Sequence, residues 1–149
     1  MIDHFSIKEL VPEHIYLQRG EKAWQLIDWR ALKTLEWLRK ELGYITVNDW
    51  AWGGDFCQSG LRTHEFYLQF DYTIEQGYEK ISKSLSQHKF GRAFDCKFRE
   101  HSAEYVRQWI KDNWHRSGFD WAITLEEDVS WVHFDVRNQL ENKVYSFKP

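Results

Sequence analysis

Apolar positions along this chain follow two periods, and the changes between them mark out its elements. From residue 21 to residue 42, Trp24, Ile27, Ala31, Leu35, Leu38 and Leu42 recur at spacings of three and four. That spacing lines them along one stripe and predicts a single helix over the whole span, with Gly43 as its C-cap. A short strand is predicted at 45–48, followed by a loop at 49–59 that holds Gly53 and Gly54. A second helix is predicted at 102–116, with Ala103, Val106, Ile110 and Trp114 turned inward and Gly118 ending it. Residues 121–125 and 131–136 read as strands joined by the acidic turn Glu126-Glu127-Asp128, and the tail 143–147 offers one more. Helices and short strands in this order predict an α+β fold, a small antiparallel sheet flanked by helices.

Nothing in the pattern marks a linker or a repeat. Pro occurs only at Pro12 and Pro149 and the glycines are scattered, so residues 1–149 are expected to form one domain. With 42% hydrophobic and 17% aromatic residues the chain can fill a core, which excludes intrinsic disorder. Lys plus Arg number 20 against 23 Asp plus Glu, a formal charge of −3, so no nucleic-acid partner is expected. Two cysteines, Cys57 and Cys96, make neither a disulfide framework nor a paired-Cys metal motif. They are expected as reduced cytosolic thiols. The N-terminal stretch has no basic segment leading into an apolar run, so no signal peptide is expected. No segment approaches the roughly 18 consecutive apolar residues that span a bilayer, and the expectation is a soluble protein without a membrane partner.

Three segments carry candidate chemistry. In Ser86-Gln-His-Lys-Phe-Gly-Arg-Ala-Phe-Asp95, His88 and Asp95 are potential ligands of a divalent metal. Gly91 allows a tight turn between them, and Ala93 shares a face with Asp95 if the piece is extended. In Ser130-Trp-Val-His-Phe-Asp-Val-Arg137, a strand would turn Trp131, His133 and Asp135 to one side and the apolar Val132, Phe134 and Val136 to the other. His133 is then either a ligand or a packed histidine held by Asp135. In Gln58-Ser-Gly-Leu-Arg-Thr63, Arg62 follows a loop and reads in isolation as a solvated arginine.

Taken together, Ser-Gly-x-Arg, then Ser-x-His-x-x-Gly-x-Ala-x-Asp, then Trp-Val-His-x-Asp resembles the zinc D,D-/L,D-peptidases. That family includes D-alanyl-D-alanine carboxypeptidases and dipeptidases and phage L-alanyl-D-glutamate endolysins, on the hedgehog/DD-peptidase fold. The resemblance spans about residues 20 to 140 and keeps the family's order. It implies His88, Asp95 and His133 as ligands of Zn2+, and Arg62 beside the substrate carbonyl or carboxylate. Two imidazoles and a carboxylate suit zinc and leave a fourth position for water. Ser86 and Trp131 are expected at the substrate, and Trp50, Trp52 and Phe56 are candidate walls of a groove.

One departure affects the expected general base. Many active members carry an acid three residues before the last ligand, where this chain has Ser130. Others carry one six residues before it, which is Glu127 here. Glu127 is therefore the expected base, with Asp128 and Asp135 as fallbacks. The resemblance implies a zinc metallopeptidase that hydrolyses peptidoglycan stem-peptide amides next to a D-amino acid, as an endolysin or carboxypeptidase. It further implies a phage-associated protein in the host cytoplasm before lysis or in the virion, with other virion proteins as partners. The alternative, favoured by Ser130, is a non-catalytic member serving as a virion structural or wall-binding component.

Overall fold

The apolar stripe predicted as one helix over 21–42 is two pieces. In the computed structural model, which describes residues 2–149, a 3-10 turn (Gly20–Leu26) ends at an extended Ile27, and α2 (Trp29–Leu42) starts behind Asp28. The break has a tertiary cause. The Asp28 N–H donates to the Gly91 carbonyl at 2.9 Å, which takes it out of any helical ladder. The Asp28 carboxylate then caps the new helix by accepting the Arg30 N–H at 2.9 Å. Ile27, Ala31, Leu35 and Leu38 still face the core on both sides of the break.

Before α2 lies α1 (Glu13–Arg19), and after it come β1 (Ile45–Thr46), α3 (Glu65–Leu68), α4 (Ile74–Lys83), β2 (Ala93–Phe98) and α5 (Ala103–Asn113). The chain closes with β3 (Ile123–Glu126), β4 (Val132–Asp135) and β5 (Val144–Phe147). The predicted 102–116 helix is α5 plus a 3-10 turn (Trp114–Arg116), started by Ser102, whose hydroxyl accepts the Tyr105 N–H. The sequence pattern does not show α1, α3 or α4. The reason is physical: α1 buries no residue fully and α4 buries only Gly77, their apolar side chains lying half-buried, as Ile15 and Tyr16 do, or exposed, as Ile74 and Tyr78 do.

The fold is α+β, and the sheet runs β1-β2-β4-β3-β5. The expected antiparallel sheet needs correction, because it is mixed. β1, β2, β4 and β3 pair antiparallel in that order, but β5 pairs parallel with β3. β2 already occupies the other edge of β4, so the chain leaving β4 passes β3 and joins its free side, running in the direction of β3.

One sheet face is covered by α2 and α5. Phe94 and Cys96 of β2, Phe134 and Val132 of β4, and Ile123 and Leu125 of β3 meet Leu35, Leu38, Val106 and Ile110 there, all buried. Trp37 contacts the rings of Trp109, Trp114 and Phe119 and welds the two helices together. Cys57 and Cys96 are free thiols, and burial pushes the Cys96 thiol far up. Among the described residues no helix is long and apolar enough to cross a membrane. The opposite sheet face carries the polar side chains.

Asp28 gives a test of the break. Burial raises its carboxyl pKa, but hydrogen bonds from Arg30 and the nearby Arg92 outweigh burial and hold it below its ordinary value of 3.8. A depressed folded pKa contributes stability that is complete above the unfolded value and is lost as pH falls through the folded one. We therefore predict that Asp28→Ala lowers stability at pH 7 by about 1 kcal/mol. In thermal melts the gap to the wild type should close as the pH falls below about 4. A gap that persists unchanged in acid would rule out this role for the carboxylate.

Candidate metal centre

Strand alternation puts Asp95 and Ala93 on the polar face of β2 and His133 and Asp135 on that of β4. The antiparallel register sets Asp95 directly across from His133 and Ala93 across from Asp135. His88 reaches the same spot from a 3-10 turn (Gln87–Phe90) just before β2. Two glycines make that approach possible. Gly91, at φ +64°, ends the turn against the Leu26 backbone, where a Cβ would overlap the Leu26 carbonyl oxygen. Gly60 lies against Leu10 in the same way, and its own carbonyl accepts the His88 Nδ1–H at 2.9 Å.

With Nδ1 committed to Gly60, His88 turns Nε2 inward. It lies 3.2 Å from His133 Nδ1 and 3.2 Å from Asp95 Oδ1, and those last two atoms are 2.8 Å apart. The outer nitrogen of His133, Nε2, donates to Asp135 Oδ2 at 3.2 Å. Both rings are thus oriented by an acceptor behind them, and their inner nitrogens converge with a carboxylate oxygen. A four-coordinate ion with metal–nitrogen bonds of about 2.0–2.1 Å has donor–donor edges of about 3.3 Å. The three residues could therefore hold a divalent metal ion, and they form the one such group among the described residues.

The surroundings are strongly charged. His88 and His133 are 2% and 6% exposed, so each ionic form needs a partner. Burial pushes the His88 pKa down, only partly offset by Asp95. Burial also lowers that of His133, but its hydrogen bonds to Asp135 and Asp95 outweigh this and raise it to about 9. Burial would raise the Asp95 carboxyl, yet the charge of His88 and the hydrogen bond from His133 hold it far below the usual carboxylate range. A metal ion taken up here has to displace the proton on His133. Arg62 donates Nη2 to Asp95 Oδ2 at 3.2 Å, lies over the Phe66 ring, and is anchored by its own N–H on the His88 carbonyl.

The cluster lines a cavity of about 760 Å³, whose walls also include Ser86, Ser130 and Trp131 and the rings of Phe56, Phe66 and Phe70. Trp50 and Trp52 do not line it: Trp50 donates its indole N–H to the Val11 carbonyl, and Trp52 is exposed. The acids expected as bases are elsewhere. Glu127 points to the helical side, where Lys111 lies 2.7 Å and Arg107 3.6 Å from its oxygens, and Lys111 lowers its pKa. Asp128 is exposed, pairs with Lys148 at 2.9 Å, and sits in a left-handed turn at φ +59°. Asp135 lies behind His133, fully buried, and Arg137 grips it through Nε at 2.8 Å and Nη2 at 2.5 Å. It orients the ring and has no access to the cavity.

Besides the ligand Asp95, the cavity is lined by two acids, Asp55 and Glu126, and Glu126 lies beside the cluster, with Oε2 4.0 Å from His133 Nδ1. The strand expected to end at Leu125 continues one residue, and alternation from Thr124 turns Glu126 onto the polar face. That alternation was the available signal, obscured by its place in an acidic run.

No protein-family model matches this chain, nor does any curated protein or solved structure.

We expect one divalent ion per chain, with His88→Ala and His133→Ala each abolishing stoichiometric binding in metal analysis after dialysis. Asp135→Asn should keep the stoichiometry but weaken affinity by roughly 10–100-fold, the usual cost of losing a partner behind a ligating histidine. Unchanged affinity in Asp135→Asn would refute its orienting role.

Proposed function

We propose that the chain is a zinc-dependent peptidase of the hedgehog/DD-peptidase type, hydrolysing peptidoglycan stem-peptide amides next to a D-residue. The observation that carries this reading is the convergence of His88, Asp95 and His133, with the Glu126 carboxylate and the Arg62 guanidinium beside them in the same cavity. The donor set of two nitrogens and one oxygen suits zinc and leaves a position open. The substrate class rests on the motif resemblance of the three segments.

The chemistry zinc supplies when bound is Lewis acidity, which brings the pKa of water to about 7. The rest is done by the chain's own residues. Glu126 accepts the proton of the attacking water as its oxygen bonds to the amide carbon. It returns that proton to the nitrogen as the C–N bond breaks, so one carboxylate serves as base and then as acid. Arg62 keeps Nη1 free of partners among the described residues. It can donate to the carbonyl oxygen as negative charge develops there. Phe66 covers one face of the Arg62 guanidinium, 3.8 Å from the ring centroid, and lowers the local polarity around it.

Glu126→Gln is expected to lower turnover about 10²–10⁴-fold while leaving bound metal unchanged, whereas Glu127→Gln should stay close to wild type. Arg62→Lys should also lose activity, because an ammonium lacks the planar fork. The assay is release of new amino groups from purified peptidoglycan, abolished by a chelator and restored by zinc, with little action on an all-L protein such as casein. Zinc-loaded protein that binds muropeptides without releasing amino groups would instead mark a wall-binding or structural member of the same fold.

A further inference from the structure

The charges around the cavity do not balance once an ion is counted. Its lining holds the acids Asp55, Asp95 and Glu126 and the bases Arg62, Lys97 and Arg137. With Asp135, the buried carboxylate that Arg137 grips, the acids outnumber the bases by one, so with both imidazoles neutral as ligands a divalent ion leaves the loaded site at about +1, although the whole chain carries −3. A ligand that suits this cavity is anionic.

Not every base is free to receive it. Lys97 spends its ammonium protons on the Val47 carbonyl at 2.8 Å, Ser59 Oγ at 2.7 Å and the Asp95 carbonyl at 3.2 Å. Arg62 is committed to Asp95 and the scissile carbonyl. Arg137 has a spare edge. Its Nε and Nη2 grip Asp135, while Nη1 has no partner among the described residues. The guanidinium lies 5.1 Å from the Phe147 ring centroid, with the side chain 36% exposed in the cavity wall. Asp135 fixes the plane of this fork, so Nη1 is presented with little freedom left to lose on binding. Arg62 approaches the cluster through β2 and Arg137 from the end of β4, towards β5. The two cations flank the metal cluster.

We propose that Arg137 is the specificity-determining site for a substrate carboxylate. The preferred ligand is an acidic peptide whose free carboxylate lies beside the amide at the cluster. This rests on the peptidase reading above and names the charge its substrate must carry.

The test compares two short peptides with a D-residue at the scissile amide, identical except that the neighbouring carboxylate is a carboxamide in one. Binding is measured by calorimetry on zinc-loaded and on metal-free protein, and cleavage separately. The wild type should bind the acid roughly 10- to 100-fold more tightly than the amide, the range of a hydrogen bond to a charged group. Arg137→Gln should remove that preference, and Arg137→Lys should keep part of it. Any loosening of Asp135 in these variants affects both peptides alike, so the ratio reads the carboxylate contact alone. Equal binding of the two peptides by the wild type, or a preference that survives Arg137→Gln, would overturn the assignment. If neither peptide is cleaved but the ratio holds, the peptidase reading fails and the carboxylate site stands.

Discussion

The pairing of β2 with β4 sets Asp95 across from His133, and the site is built outward from that register. Strand side chains alternate, so a slip of one residue in either strand would turn its ligand into the core and bring Phe94 or Phe134 into the cavity. On the core face Phe94 and Phe134 are cross-strand neighbours with ring centroids 5.7 Å apart, fully buried under α2 and α5. Hydrophobic burial on one side of the sheet therefore fixes the chemistry on the other. The helices contribute no ligand, yet they hold the register.

His88 depends on a different constraint, the close approach of backbones. The turn that carries it is held by the Asp28 N–H on the Gly91 carbonyl and by the Arg62 N–H on the His88 carbonyl. The same contacts divide the 21–42 stripe into two pieces and deliver Arg62 beside Asp95. Broken helix, glycine turn and guanidinium are one arrangement, which is why residues far apart in the chain act on a single cavity.

The parts of this structure legible in the sequence are those governed by local period. Alternation placed His133 and Asp135 on one face and Val132 and Phe134 on the other, and the helical stripe of α2 is where the spacing put it. What was illegible depends on partners distant in the chain. Nothing around Ile27 signals that Gly91 will take the next N–H, and nothing in the tail says that β5 will run parallel to β3. Glu126 rather than Glu127 faces the cavity for a local reason. Glu126, Glu127 and Asp128 look alike as a run, and only the last step of β3 turns one of them to the cavity and leaves Lys111 and Lys148 to neutralise the others.

The buried charges of the site form a row of alternating sign: Arg62, Asp95, His133, Asp135, Arg137, each in contact with the next. Removing one member of a buried ion pair typically costs about 3–5 kcal/mol, because the other is left without compensation. The row tolerates exchange at its centre, however. Without a metal, the proton on His133 separates the two carboxylates. An ion held by these residues would take that proton's place between Asp95 and a neutral ring, and the alternation would persist. The ends of the row are both arginines, which keep their charge at any working pH and cannot be neutralised by the exchange. The same pairing that stabilises the ion-free protein thus leaves two fixed guanidinium edges beside whatever the cluster binds.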